Sequence, residues 1–146
     1  MAQRAVESIL VNADAATIFD VVCDFERYHE WVDDLKRIDI LERDSEGRPL
    51  EVEFRAAAFG RSTTYTLRYD YHGAPNQLDW HQTSGDLTET MTGQYRFEGV
   101  AVGTRVTYEL EVELRVPIPA FIRARAAHRI QTQALRELRA RAEQRR

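Results

Sequence analysis

The sequence has one cysteine, Cys23, so no disulfide can form within the chain. Stability has to come from a packed core, and 146 residues are enough to bury one. Four prolines and seven glycines are spread thinly, with no low-complexity tract and no interdomain linker. One domain spanning 1–146 is therefore expected. No apolar run approaches the ~20 residues of a spanning helix. The opening "MAQRAVESIL" lacks the apolar core and cleavage pattern of a secretory signal. With the lone thiol, this points to a cytoplasmic protein. Glycine-rich phosphate loops and a nucleophile-elbow serine are also missing. Cys23 follows an apolar helix face and reads as a buried structural thiol.

Charge is present but unevenly placed. The net charge is −4, yet Pro119 onward holds eight arginines against Glu137 and Glu143, which is +6; the remainder is −4 − 6 = −10. Lys36 is the only lysine. The acidic remainder argues against extended nucleic-acid contact, so no nucleic-acid partner is expected. The basic end leaves peripheral contact with an anionic membrane open. The oligomeric state is not specified.

The hydrophobic pattern changes period along the chain. Arg4 to Val11 alternate as a strand. In "NADAATIFDVVCDF", Asn12 or Asp14 can cap a helix whose apolar face carries Ile18, Phe19 and Val22. A second short helix is expected from Glu26 to Val32. From Leu35 the period is two, giving strands in "LKRIDILERD", "LEVEFRAAA", "STTYTLRYDY", "QLDWHQTS", "LTETMTGQYRFEG" and "GTRVTYELEVELRV". "SEGRP" and "GAPN" supply turns. Gly93 lies mid-strand in phase with Met91 and Tyr95; it marks a bend or a close approach by another group, and in a sheet that wraps a helix the bend is the simpler reading. After Pro117 and Pro119 a long helix runs from about Ala120 to Ala142. Phe121, Ala124, Ala127, His128, Gln131, Ala134, Leu135, Leu138 and Ala142 share its broad inner face. The class is α+β: a curved antiparallel sheet of about seven strands, wrapped around one long C-terminal helix, with two short helices after the first strand.

"DFERYHEWVDDLK" concentrates the polar chemistry. On a helix, His29 and Asp33 would share a face, a spacing that permits two metal ligands. A catalytic zinc takes three protein ligands, and His72, His81 and His128 each stand alone. No metal and no cofactor are expected.

The element order and four motifs resemble the helix-grip fold of the START-like (SRPBCC) superfamily. The motifs are "ATIFDVVCDFERYHEWV", "LDWHQTSGDLTETMTGQYRFE", "GTRVTYELEVEL" and "VPIPAFIRARAAHRIQTQALRELRAR". The resemblance covers roughly Ala5 to Arg139 and points most to small actinobacterial proteins labelled polyketide cyclase/dehydrase or lipid-transport-like. Relatives usually read Phe-x-x-Tyr-Pro-x-Trp where this chain has Phe25, Tyr28 and Trp31, with His29 in the proline position. The resemblance thus implies a helix-start role for His29.

A bent sheet around one helix leaves a hollow unless side chains fill it. Phe54, Tyr65, Tyr69, Trp80, Tyr95, Phe97 and Tyr108 fall in the inward phase of their strands, joined by Met91. Buried phenol oxygens need partners, and a cavity holding a polar ligand or water would supply them. The expected ligand-contacting set is Phe54, Tyr65, Tyr69, Trp80, Met91, Tyr95, Tyr108, Phe121, His128 and Gln131. Phe25, Tyr28 and Trp31 are expected at the pocket mouth. His128 and Glu89 are the candidates for acid–base work, and His81 is expected to face solvent. The expected function is binding, and carriage, of a hydrophobic or amphipathic small molecule such as a lipid, polyketide or isoprenoid. The alternative is a polyketide cyclase, aromatase or dehydratase.

Overall fold

The computed structural model describes residues 3–58 and 60–145. Strand β1 (Gln3–Val11) leads into helix α1 (Ala15–Cys23) and a 3-10 turn (Phe25–Glu30). Strands β2 (Leu35–Arg43), β3 (Pro49–Ala58), β4 (Arg61–Asp70), β5 (Gln77–Gly85), β6 (Thr88–Val100) and β7 (Gly103–Leu114) follow, then helix α2 (Ala120–Arg145). The strands form one antiparallel sheet in the order β1-β7-β6-β5-β4-β3-β2. This is the helix-grip architecture.

Local chemistry explains the boundaries. Asp14, rather than Asn12, caps α1: its carboxylate accepts from the Thr17 N–H at 2.8 Å. The β2–β3 turn closes on Asp44, whose Oδ1 accepts from the N–H groups of Glu46 and Arg48, both at 2.9 Å. Gly47 takes φ 82° there, a conformation that costs glycine little.

The second helix is shorter and tighter than the apolar pattern suggests. The 3-10 turn ends at Glu30, so His29 lies in its last turn, not at its start. Asp33 falls outside the turn altogether. The shared helical face assumed for His29 and Asp33 does not form. The cause is the aromatic spacing: Phe25 turns into the core, which ties down the segment every third residue.

Helix α2 grips one side of the sheet. Its buried residues are Ala127, Gln131, Leu135, Leu138 and Ala142, at spacings of three and four. Gln131 Nε2 donates to the carbonyl oxygens of Ala5 and Tyr108, both at 3.1 Å, and so pins the helix to β1 and β7. α1 packs on the same helix. The inner face of β3–β5 is therefore left facing α2 across open space.

Gly93 marks a close approach by another group. Its neighbour across the β5–β6 ladder is Trp80. A Cβ at Gly93 would lie 2.2 Å from both Cε2 and Cζ2 of that indole. The glycine is there to let the tryptophan ring lie flat on the strand, the second of the two meanings a mid-strand glycine carries.

Candidate functional site

The space between β3–β6, α2 and the 3-10 turn is a cavity of ≈ 190 Å³. The sheet contributes Phe54, Tyr65, Leu67, Tyr69, Trp80, Met91, Tyr95 and Tyr108 to its wall. α2 contributes Ile130, Gln133, Ala134 and Glu137; Val22, Tyr28, Trp31, Val32, Asp34 and Leu35 close the remaining side. The inward phase of each strand fixes the aromatic positions, as a period of two requires. Their rings pack against one another along the wall. Phe54 stacks on Tyr65 at 5.4 Å, Tyr69 meets Trp80 at 5.9 Å, Trp80 meets Tyr95 at 5.2 Å, and Tyr95 meets Tyr108 at 4.8 Å.

The phenols divide into two groups. Tyr28 donates to the Val22 carbonyl, and Tyr71 donates to the Pro49 carbonyl at 2.5 Å. These two hydroxyls are structural. Tyr65, Tyr69, Tyr95 and Tyr108 have no side-chain hydrogen bond to any described residue. Nor are they sealed into the protein: the unpartnered, fully enclosed side-chain atoms among the described residues are Arg123 Nε and Gln131 Oε1. Their oxygens therefore keep some accessible surface, and all four side chains line the hollow. Burial pushes all four phenols up, Tyr65 to about 12, so each stays protonated at neutral pH. A mostly apolar hollow thus carries phenol groups that can both donate and accept.

A family profile described as polyketide cyclase / dehydrase and lipid transport matches residues 2–143. The chain belongs to that family. Among solved structures, the chain resembles a START superfamily protein from Mycobacterium smegmatis, with TM-score 0.90 and 26% identity over 97% of each chain. It also resembles the Zhui aromatase/cyclase from Streptomyces sp. R1128, with TM-score 0.86 and 17% identity, over 99% of this chain and 96% of that one. At that identity the second likeness speaks for the fold alone. No curated protein matches the chain.

Within this family member, the structure brings some of the expected residues together and sends others elsewhere. Phe54, Tyr65, Tyr69, Trp80, Met91, Tyr95 and Tyr108 all line the cavity, as do Tyr28 and Trp31. Phe25 does not: it is 1% exposed and sits behind the wall, 4.8 Å from Tyr69 and 5.0 Å from Tyr28. Gln131 of α2 is enclosed against β1 and β7, and its amide NH2 donates to backbone there. Phe121 is 67% exposed in the first turn of α2. Helical period shows which face a residue shares, but not whether the sheet reaches that far along the axis. His128 is exposed at the margin of the same face, where it meets Glu7 of the edge strand β1. Glu89 is exposed and pairs with Arg115 at 3.4 Å. A register shift in the β6–β7 ladder between Thr88 and Thr90 breaks the alternation that would have turned Glu89 inward. His81 is exposed, on the outer face opposite Trp80. Cys23 is half-buried, and burial pushes its thiol up to about 12, which leaves it unreactive as a thiolate at neutral pH.

Sequence reasoning missed the carboxyl groups at the cavity's edge. Three residues of α2, four apart, bind the end of the 3-10 turn and the segment after it. Gln133 donates to Asp34 Oδ2 at 3.2 Å, Glu137 Oε2 accepts the Asp33 N–H at 3.0 Å, and Arg141 donates to Glu30 at 2.6 Å. The i, i+4, i+8 spacing from Gln133 to Arg141 was visible, but its partners come from about 100 residues away in the chain. Burial raises the Glu137 carboxyl above the usual carboxylate range, and the Asp33 and Asp34 charges act the same way. A carboxyl raised by folding favours the folded state at low pH and loses that advantage as pH rises past 4.5, its ordinary value. Glu137→Gln keeps an acceptor for the Asp33 N–H and removes the buried charge. It is therefore expected to be more stable than the parent at pH 7, with the gain vanishing below about pH 4. Urea midpoints of both proteins at the two pH values measure this. Equal midpoints at pH 7 would contradict it. Comparison at matched pH cancels the opposite contribution of Glu30, which Arg141 holds below its ordinary range.

Proposed function

We propose that the protein binds a hydrophobic or amphipathic small molecule, such as a lipid, polyketide or isoprenoid, in the cavity between sheet and α2, and carries it. One observation supports this above the others: four phenols with no hydrogen-bond partner among the described residues line a mostly apolar hollow, whose other polar groups, Asp34, Gln133 and Glu137, sit at its edge. Unpaired polar groups in such a place are costly unless a ligand or water completes them. The complement is a molecule with a flat apolar body and a few oxygen atoms. The space of ≈ 190 Å³ is below the ~300–1,000 Å³ of most ligand sites. A long ligand therefore needs the Tyr28–Trp31 side to move outward, and a ligand of one or two rings does not.

Both tryptophans of the chain, Trp31 and Trp80, line the hollow, so their fluorescence reports occupancy. The test compares 2-naphthol with naphthalene, which share a body and differ by one hydroxyl. Tyr95→Phe and Tyr108→Phe are each expected to weaken 2-naphthol about 2- to 12-fold, the worth of one hydrogen bond, and to leave naphthalene unchanged. Because neither hydroxyl has a protein partner, stability should hold. If native mass spectrometry finds no co-purified molecule and neither probe binds, the reading fails.

A second reading is a polyketide cyclase, aromatase or dehydratase acting on a chain held in the same cavity. The raised carboxyl of Glu137 on the cavity wall favours it. Such a group can pass a proton to a ketone oxygen while an enol carbon attacks. Glu137, rather than His128 or Glu89, takes the acid–base role in this reading. A poly-β-ketone cyclised equally fast by Glu137→Gln would remove it.

A further inference from the structure

The cavity reading leaves the exposed side of α2 without a use. The run Val116–Ile122, "VPIPAFI", contains no polar side chain, and five of its seven residues are exposed. At its end Phe121 is 67% and Ile122 is 44% exposed. Apolar groups of this size clustered at one tip point to contact with an apolar phase. Arg125, Arg129 and Arg136 follow on the same helix, all exposed. At 100° per residue they fall within about 40° of one another, on the side facing away from Leu135 and Leu138. Among the described residues their side chains have no acidic partner. The stripe from Arg125 to Arg136 is about 16 Å long at 1.5 Å per residue.

Taken together, the tip and the stripe make one surface, and we propose that it docks on an anionic lipid bilayer. Phe121 and Ile122 enter the interfacial layer, and the three guanidinium groups pair with lipid phosphates beside it. Guanidinium groups suit phosphate because they donate in a fixed planar fork. The charge asymmetry orients the encounter: α2 carries the excess positive charge and the −10 remainder is turned away. A nucleic acid would use the arginines and have no place for the apolar tip. Ile130 and Glu137 of the cavity wall lie about a third of a turn around the same helix from the stripe, so docking leaves the cavity's edge beside the membrane-facing side and uncovered. The proposal stands on α2 alone and does not need the cavity to hold a lipid.

Vesicle flotation of the full chain tests it, using phosphatidylcholine alone and phosphatidylcholine with about one-third phosphatidylglycerol. The protein should float with the anionic vesicles at about 0.05 M salt and lose most of that binding at about 0.5 M. Arg125→Gln with Arg129→Gln should lower the partition coefficient about 25-fold, near five-fold for each arginine. Phe121→Ser with Ile122→Ser should lower it about 10-fold or more at low salt. All four positions are exposed, and unchanged circular dichroism would show the variants fold. Equal binding to neutral vesicles would overturn the proposal, as would variants that float like the parent. So would poly(U) binding lost with the arginines while flotation stays intact. A self-associated parent that becomes monomeric in Phe121→Ser/Ile122→Ser, without flotation, would assign the tip to a second copy instead. Flotation can fail while 2-naphthol still binds, so failure of this surface and failure of the cavity reading are distinguishable.

Discussion

Replacing Phe25 with alanine is expected to cost about 3–5 kcal/mol of stability, the largest effect of any single change considered. Its ring is 1% exposed and contacts three others, at 5.0 Å to Tyr28, 6.3 Å to Phe54 and 4.8 Å to Tyr69. Truncation leaves a void that these rings cannot fill, because each is held by its own strand or turn. The 3-10 turn would also lose its anchor to the sheet. Trp31→Ala is the contrast. Trp31 is half-buried on the cavity side and packs on Tyr28 at 5.0 Å. Its loss should cost far less stability while changing how fast a probe enters. Denaturant midpoints separate the two. A Phe25→Ala variant within about 1 kcal/mol of the parent would return Phe25 to the mouth rather than the core.

Gly93→Ala should destabilise the protein by about 1–3 kcal/mol, although it adds one methyl group. The added carbon would meet Trp80 at 2.2 Å. The indole cannot move aside freely: Tyr69, Tyr95 and Tyr108 stand 5.9, 5.2 and 5.9 Å from it. The clash therefore either shifts the backbone of β6 or pushes Trp80 into the hollow. In the second case 2-naphthol binding falls as well. A double-mutant cycle with Trp80→Leu isolates the cause, since the penalty at Gly93 should largely disappear when the indole is gone. A penalty that persists in that background would mean the strand needs glycine for its own conformation.

These two residues also show how much of the molecule could be read from the chain. Period-two alternation placed Tyr65, Tyr69, Trp80, Tyr95 and Tyr108 on one face, and they do line one cavity. Alternation is a property of the strand itself, so it survives into the fold unless a register shift breaks it. Glu89 sits at such a shift, and there the pattern misled. Helical period was reliable around Gln131, Leu135 and Leu138, where the sheet lies beneath. It failed at Phe121 and His128, at the end and at the margin of the contact. Gly93 was recognisable as an anomaly, but its partner Trp80 was not.

The sequence by itself determined the strand and helix order and the aromatic inner face, and a family resemblance supplied the helix-grip fold. The first two follow from local periodicity and turn chemistry, which act over a few residues. Only the tertiary structure decided which phenols lack partners, that Phe25 is core, and that Glu137 joins the cavity wall. Those outcomes depend on contacts between segments far apart in the chain, such as Phe25 with Tyr69 and Glu137 with Asp33. No local pattern carries such distances, because side-chain partners are chosen by packing after the sheet has closed around the helix.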